Sequence, residues 1–197
     1  MKVLAAGDIH GDRSLIKELS ERAEKENVDL VVLCGDLIES EENPMGIVGA
    51  FRQRVLLIPG NHDSIPVIDF LAEFYDHAKN IHGYGYRKGD VGFFGSSSVN
   101  LGLWQLSEKE IFDMLKNSFT YVKDCKTKIL VSHVHPAQSK MTQVSGFEGS
   151  FGLRKAINTF QPDIVFCSHV HEAEGIEEII GKTKVINVGR KGKIIEF

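Results

Sequence analysis

The sequence predicts an α/β fold in one domain, residues 1–197, and three observations support this prediction. Short apolar runs alternate with amphipathic stretches, which is the pattern of strands joined by helices. Several of these runs end abruptly in small polar segments. Short strand-like runs separated by glycine-containing turns close the chain. Together these features favour two sheets, one mostly parallel and one mixed, with helices outside.

The first half reads as alternating strands and helices. Apolar runs at residues 3–6, 30–33 and 55–58 predict buried strands. Apolar residues at helical spacing predict amphipathic helices at residues 14–25 and 65–77. Because parallel strands joined through a helix need a crossover, which is nearly always right-handed, this order predicts parallel neighbours in one sheet.

The second half is predicted to change character towards its end. The expected elements are strands at residues 91–95, 129–131 and 164–167 and helices at 108–119 and 153–160. Three further runs, at residues 175–180, 184–188 and 193–197, predict an antiparallel meander. The stretches 95–102 and 138–150 are interpreted as plain connections, with substrate loops as the alternative. The acidic stretch 39–43 is interpreted as solvated surface rather than a binding feature.

Composition narrows the functional class. The chain is 42% apolar and 25% charged, as ordinary globular proteins are, with a net charge of -4 and a pI of about 6.1. This acidic balance counts against a nucleic-acid partner, since such surfaces usually carry a basic stripe. The three cysteines are widely spaced and odd in number, so they predict buried thiols and no disulfide framework.

Membrane and export signals are not expected. No apolar segment approaches the roughly 20 residues that span a bilayer. The first residues are apolar only briefly before Asp8, which does not fit a signal peptide. The sequence therefore predicts a cytoplasmic protein.

Five polar segments carry the chemistry, and each follows an apolar run. They are Asp8-Ile9-His10, Gly35-Asp36, Gly60-Asn61-His62-Asp63, Ser132-His133 and Ser168-His169-Val170-His171. Because the carboxyl ends of parallel strands meet at one edge of a sheet, these side chains are expected to converge. In an extended segment residues i and i+2 face the same side, so Asp8 and His10 are expected to chelate one ion.

The alternative is that each segment is an ordinary turn. A lone histidine beside a strand is usually a satisfied polar residue, and Gly-Asp pairs are common in turns. However, six of the eight histidines fall in or beside these segments. Carboxylates and imidazoles crowded at strand ends need cations between them, because buried unpaired charges are costly. The inventory therefore predicts two adjacent metal sites, and such a pair is typical of phosphate-ester hydrolysis.

The five segments together resemble the calcineurin-like metallophosphoesterases, in a compact form without a cap. The resemblance runs from Asp8 to about Asn187. It covers Asp-x-His, Gly-Asp, Gly-Asn-His-Asp, a strand-end histidine and a final Gly-His-x-His, in which Ser168 replaces the glycine. The implied fold is a four-layer α/β/β/α sandwich with two mixed sheets.

The resemblance also implies a role for each matching residue. The first metal would be held by Asp8, His10 and His171, the second by Asn61, His133 and His169, and Asp36 would bridge both. His62 would be unligated and face the substrate phosphate, with Asp63 orienting it. His135 is left open between the rim of the site and a structural role, and His77 and His82 receive no role.

The implied activity is hydrolysis of a small phosphodiester or phosphomonoester by a hydroxide that bridges two divalent ions. Histidine and carboxylate ligands without thiolates suit Mn²⁺, Fe, Co, Ni or Zn²⁺. Alternatives are a nuclease, a non-catalytic protein-binding scaffold of the same fold, and a nucleotide-binding regulator, for which the chain has no phosphate-binding loop. The substrate and the oligomeric state stay open.

Overall fold

A computed structural model describes residues 1–39 and 44–197 of the chain. The first sheet contains five strands in the order β11-β1-β2-β3-β4. They are β1 (Lys2–Ala6), β2 (Leu30–Cys34), β3 (Arg54–Ile58), β4 (Ala78–Asn80) and β11 (Lys193–Glu196). Strands β1 to β4 run parallel, and β11 pairs antiparallel with β1, so the sheet is mixed.

The second sheet contains six strands in the order β5-β6-β7-β8-β10-β9. They are β5 (Gly85–Lys88), β6 (Val91–Gly95), β7 (Thr127–Val131), β8 (Ile164–Cys167), β9 (Glu177–Ile180) and β10 (Thr183–Asn187). The four central strands are parallel, and both edge strands are antiparallel to their neighbours.

Three hydrophobic clusters show how the layers stack. One cluster joins the facing surfaces of the two sheets, through residues such as Val32, Ile58, Phe93 and Phe166. The second lies on the outer face of the first sheet under α1 (Arg13–Lys25) and α2 (Ile65–Phe74). The third lies on the outer face of the second sheet. It packs under α3 (Glu108–Phe119), α4 (Lys140–Ser145) and α5 (Phe151–Phe160). The four-layer α/β/β/α prediction is confirmed.

The helix boundaries follow local chemistry. Helix α3 has the predicted bounds because Ser107 and Glu110 form a capping box at its start. Helix α2 ends at Phe74, earlier than predicted, because the carbonyl of His77 accepts a hydrogen bond from the amide of Val55. This bond recruits the segment into the sheet. The stretch 138–150, interpreted as a connection, contains α4.

The predicted C-terminal meander is wrong. Strands β9 and β10 do form an antiparallel pair, but β10 also pairs in parallel with β8. The last strand, β11, leaves this sheet and pairs with β1 of the other one. Short turns between apolar runs indicate local reversals, but they carry no information about which sheet the next strand joins.

Two other sequence predictions have structural counterparts. All three cysteines are free and buried. In the described residues no helix is long and apolar enough to cross a membrane. The cytoplasmic location and the single-domain organisation stay predictions.

Candidate metal centre

The predicted site residues converge at the seam between the two sheets, where the parallel strands end. Asp8 and His10 follow β1, Asp36 follows β2, and Asn61 begins the turn after β3. From the second sheet, His133 follows β7, while His169 and His171 follow β8. This is the edge at which open α/β sheets place their ligands.

The first ligand group consists of Asp8, His10 and His171. One ligand atom from each lies within 4.8 Å of the other two. The Nε2 atom of His171 lies 3.9 Å from Oδ2 of Asp8, and the rings of His10 and His171 are 5.7 Å apart. This is the set that the resemblance assigns to the first metal, and it draws on both sheets.

The second ligand group consists of Asp36, His133 and His169, whose ligand atoms also lie within 4.8 Å of one another. The Nε2 atom of His133 lies 2.9 Å from Oδ1 of Asn61, so the amide oxygen of Asn61 lies beside this second ligand group. The rings of His133 and His169 are 5.0 Å apart. This group also draws on both sheets.

Asp36 lies between the two groups. Its Oδ2 atom is 3.8 Å from Nε2 of His10 in the first group and 3.4 Å from Nε2 of His133 in the second. Its other oxygen, Oδ1, accepts a hydrogen bond of 2.9 Å from the backbone amide of His62. That bond leaves Oδ2 facing both groups of nitrogen ligands.

The ring of His133 is fixed from behind by backbone. Its Nδ1 atom lies 2.9 Å from the carbonyl oxygen of Cys34, which only accepts, so Nδ1 donates and Nε2 faces Asp36. The hydroxyl of Ser168 donates to the same carbonyl at 2.9 Å. A Cβ on Gly7 would lie 2.5 Å from this hydroxyl, so Ser168 fits only because residue 7 is glycine. The serine that departs from the family pattern thus supports a ligand.

Burial and close charges perturb the titration of these groups. Burial raises the pKa of Asp8. Burial also favours a raised pKa at Asp36, but the neighbouring His133 outweighs it and holds the pKa well below its usual range. Burial disfavours protonation of His133, yet Asp36 and Asp8 together raise its pKa to about 9. Burial and the nearby His133 lower the pKa of His169 to about 3.

One buried atom tests whether these residues fit a metal. Oδ2 of Asp8 is inaccessible to solvent and has no hydrogen-bond partner among the described residues. An unpaired carboxylate oxygen in such a place costs free energy unless a cation lies beside it. Carboxylate, imidazole and amide donors are also the set that transition metals accept. The residues therefore fit two divalent ions.

Strained backbone accompanies the ligands. Asp8, His10, Asp36 and His169 have φ values of 54°, 49°, 51° and 66°, in the left-handed region that non-glycine residues rarely adopt. The expectation that Asp8 and His10 share one side of an extended segment is therefore wrong about the backbone. The chain turns sharply at both residues, and the turns bring their side chains together. Such strain clusters at functional sites.

Comparisons with known proteins agree with this geometry. The model of the calcineurin-like phosphoesterase family matches residues 1–173. The chain belongs to the calcineurin-like phosphoesterase family. A comparison with curated protein sequences gives no match for this chain.

Solved structures share the phosphoesterase fold at low sequence identity. The protein TT1561 of Thermus thermophilus has a TM-score of 0.78 at 18% identity, over 96% of this chain and 90% of that one. A dimetal phosphatase from Danio rerio has a TM-score of 0.65 at 14% identity, over 96% and 87%. A novel archaeal phosphodiesterase has a TM-score of 0.57 at 18% identity, over 96% and 84%. At these identities the likeness establishes the fold alone.

Glu39 contacts the site, although its sequence position gave no prediction of such a contact. Oε1 of Glu39 lies 2.7 Å from Nδ1 of His10, and Oε2 lies 3.6 Å from Nδ1 of His62. The Glu39 side chain is 45% exposed, as the interpretation of residues 39–43 as solvated surface expects, but it also contacts two histidines of the site. Residues 40–43 lie outside the described part of the chain. A carboxylate three residues after Asp36, in the same strand-end loop, was the available signal.

Asp63 contacts backbone in the phosphoesterase site. Its buried carboxylate accepts hydrogen bonds from the amides of Gly60, Leu37 and Ile38 at 2.8, 3.0 and 3.1 Å. Within residues 1–39 and 44–197, no hydrogen bond or ion pair joins it to the His62 ring. Its predicted orienting role has no contact to support it. Asp63 instead ties the turn after β3 to the turn after β2.

His135 is fully buried beside the second ligand group. Its Nε2 atom lies 3.2 Å from the carbonyl oxygen of Phe147, and its ring lies edge-on to the Phe147 ring at 5.5 Å. Burial lowers its pKa to about 4, although the bond to Phe147 opposes the shift. Of the two roles left open for His135, the contacts favour the structural one.

Proposed function

We propose that this chain is a metal-dependent phosphoesterase that hydrolyses a phosphomonoester or phosphodiester at the seam between its sheets. The observation that carries the proposal is the position of Asp36. One of its oxygens faces a nitrogen of each ligand group, at 3.8 and 3.4 Å. A carboxylate shared in this way is what two adjacent cations require.

The proposed metal ligands are those of the two groups. Asp8, His10 and His171 hold one divalent ion, and Asn61, His133 and His169 hold the other, with Asp36 shared. Two transition-metal ions, from among Mn²⁺, Fe, Co, Ni and Zn²⁺, would supply Lewis-acid activation of water and of a phosphate oxygen. Only two carboxylates among these ligands offset the four positive charges, so the centre attracts an anionic ester.

His62 is proposed as the catalytic residue outside the ligand set. Its side chain is 43% exposed and its ring lies edge-on to His10, with ring centres 5.0 Å apart. Oε2 of Glu39 lies 3.6 Å from Nδ1 of this ring. From this position His62 donates a hydrogen bond to a phosphate oxygen or a proton to the leaving oxygen.

The test combines metal content with hydrolysis. The chain is reconstituted with Mn²⁺, freed of excess metal, and analysed for metal per chain and for turnover of p-nitrophenyl phosphate and bis(p-nitrophenyl) phosphate. Asp36→Asn is expected to lose both metal and turnover. Asp113→Asn, an exposed carboxylate paired with Lys109, is the matched control and is expected to keep both.

Three outcomes would contradict the proposal. A chain that binds almost no metal and hydrolyses neither ester would indicate a binding scaffold. Turnover that survives Asp36→Asn would place the reaction elsewhere. Cleavage of single-stranded DNA that greatly exceeds cleavage of the small esters would indicate a nuclease, against which the net charge of -4 already counts.

A further inference from the structure

An aromatic ring lies against the second ligand group. The rings of Phe147 and His169 meet edge to face, with centres 5.1 Å apart. Both residues are only partly buried, so part of their surface remains accessible. Among the described residues, the other ring contacts of the proposed metal ligands are with histidines, so Phe147 is the one aromatic side chain of another type that meets a ligand ring.

The position of Phe147 is fixed from several sides. His135 donates to its carbonyl oxygen, and the hydroxyl of Ser145 accepts from its amide at 3.1 Å. Its ring packs against the hydrophobic cluster on the outer face of the second sheet. A Cβ on Gly149 would lie 2.7 Å from the carbonyl oxygen of His135, so this turn closes tightly over the histidine. The ring is therefore preorganised.

We propose that Phe147 is a specificity-determining residue that binds a flat aromatic substituent of the phosphate ester. The proposal rests on the proposed function and names the substrate class of the same site. An ester whose phosphate lies between the two ligand groups directs a substituent over one of them. A substituent that leaves over the second group meets the Phe147 ring.

Aromatic recognition by Phe147 can be distinguished from general apolar contact by comparing ligands. Two paired aromatic rings stabilise each other by more than the burial of their apolar area accounts for. This additional stabilisation corresponds to about 2- to 10-fold in affinity. A saturated ring of the same size buries similar area without this gain. Affinity for an aromatic substituent relative to a saturated one therefore measures the contact with Phe147.

The test measures dissociation constants of phosphonates, whose C–P bond is not an ester. Methyl-, cyclohexyl- and phenylphosphonate are titrated calorimetrically into the manganese-loaded chain. The compared variants are Phe147→Leu, which keeps apolar bulk, Phe147→Ala, and the matched control Phe151→Leu. Phe151 is 46% exposed at the start of α5 and contacts no proposed ligand among the described rings.

The expected result is a change in discrimination at constant metal content. The ratio of the cyclohexyl- to the phenylphosphonate dissociation constant falls by about 2- to 10-fold in Phe147→Leu and Phe147→Ala and is unchanged in Phe151→Leu. Methylphosphonate binding stays within about 2-fold, because it does not reach the ring. A nucleoside 5′-phosphonate distinguishes the two sources of a flat ring. Weaker binding of it in Phe147→Leu indicates a nucleobase, and weaker binding of phenylphosphonate alone indicates an aryl ester.

An unchanged ratio in both Phe147 variants overturns the proposal. So does an equal weakening of all three phosphonates, which would show that Phe147 only supports His169. Ester hydrolysis on the same samples tests the proposed function separately. If the parent chain hydrolyses no ester yet shows the Phe147-dependent ratio, the function fails while the binding face stands.

Discussion

Gly60→Ala offers the sharpest test of the geometry at the seam. A Cβ at this position would lie 2.7 Å from Cγ of Asp36, and still closer to Oδ1 and the backbone nitrogen of Asp36. Ordinary contact begins at 3.4 Å, so Asp36 must move by about 0.7 Å or more. Metal–ligand distances tolerate only about 0.2 Å. Because Asp36 is the proposed shared ligand, we expect binding of both ions to be affected.

The expected magnitudes follow from the contacts that are lost. Overpacking costs about 1–3 kcal/mol, and losing the hydrogen bond from His62 to the Asp36 carboxylate costs about 1.5–3 kcal/mol. We expect Gly60→Ala to lower the free energy of unfolding by about 2.5–6 kcal/mol. Turnover should fall by about 100-fold or more, since misplacing a reactive group by about 1 Å has that effect.

Gly89→Ala is the matched control. Gly89 has a φ of 60°, and a Cβ there would meet nothing within 4 Å. Alanine at this position costs roughly 1–2 kcal/mol through backbone strain alone, far from the seam. Urea unfolding, metal analysis and p-nitrophenyl ester turnover are measured on both variants. The reasoning is refuted if Gly60→Ala keeps its metal and turns over within about 2-fold of the parent, or if Gly89→Ala loses metal as well.

Three further predictions concern other residues. His62→Ala should lower turnover by about 10²–10⁴-fold with metal content unchanged, while His77→Ala, outside the site, should leave turnover intact; loss of metal from His62→Ala would contradict its role. Glu39→Gln should lower turnover by up to about 5-fold, the value of a partly exposed pair, and a larger loss accompanied by metal release would make Glu39 a ligand. Burial lowers the pKa of His82 to about 4 from its ordinary value of 6.5, so between these values only the unfolded chain takes up this proton. Stability should fall by on the order of 3 kcal/mol as pH drops from 6.5 to 4. His82→Asn, whose amide oxygen can still accept a hydrogen bond from the Ser97 amide, should reduce this loss of stability when urea unfolding is compared at pH 7 and 4.5. An unchanged pH dependence would contradict the assignment to His82.

The sequence was most informative where chemistry and strand ends coincide. Asp8, Asp36 and His133 could be placed together because each follows an apolar run, and parallel strands align their ends by construction. The inner layers could be predicted for the same reason: nearly continuous apolar runs indicate strands that are buried on both faces. These inferences depend on local pattern and on one general rule of topology.

The remaining features depend on contacts that sequence spacing does not determine. The partner of β11 is β1, nearly the whole chain away, and nothing in its apolar pattern indicates that pairing. Glu39 approaches His62 because the chain turns at Asp36, which has a left-handed backbone. Asp63, adjacent to His62, bonds to the amides of another turn. Adjacency in sequence pointed to Asp63, whereas the carboxylate that lies near the His62 ring is Glu39, because consecutive side chains diverge.

Each of the two ligand groups combines residues from both sheets, so the groups can form only after the sheets have packed together. Asp8, His10 and Asp36 follow strands of the first sheet. The other proposed histidine ligands, which are His133, His169 and His171, follow strands of the second sheet. The backbone amide of His169 donates a hydrogen bond to Asp8, which lies 161 positions earlier in the chain. A half-made chain therefore completes neither of the two proposed ligand groups, although His10, Glu39 and His62 already lie together within its first half. The full pair of sites forms only when the two halves dock. Two separately expressed fragments, divided between Asn80 and Gly85, should take up two metal ions per pair only once they associate.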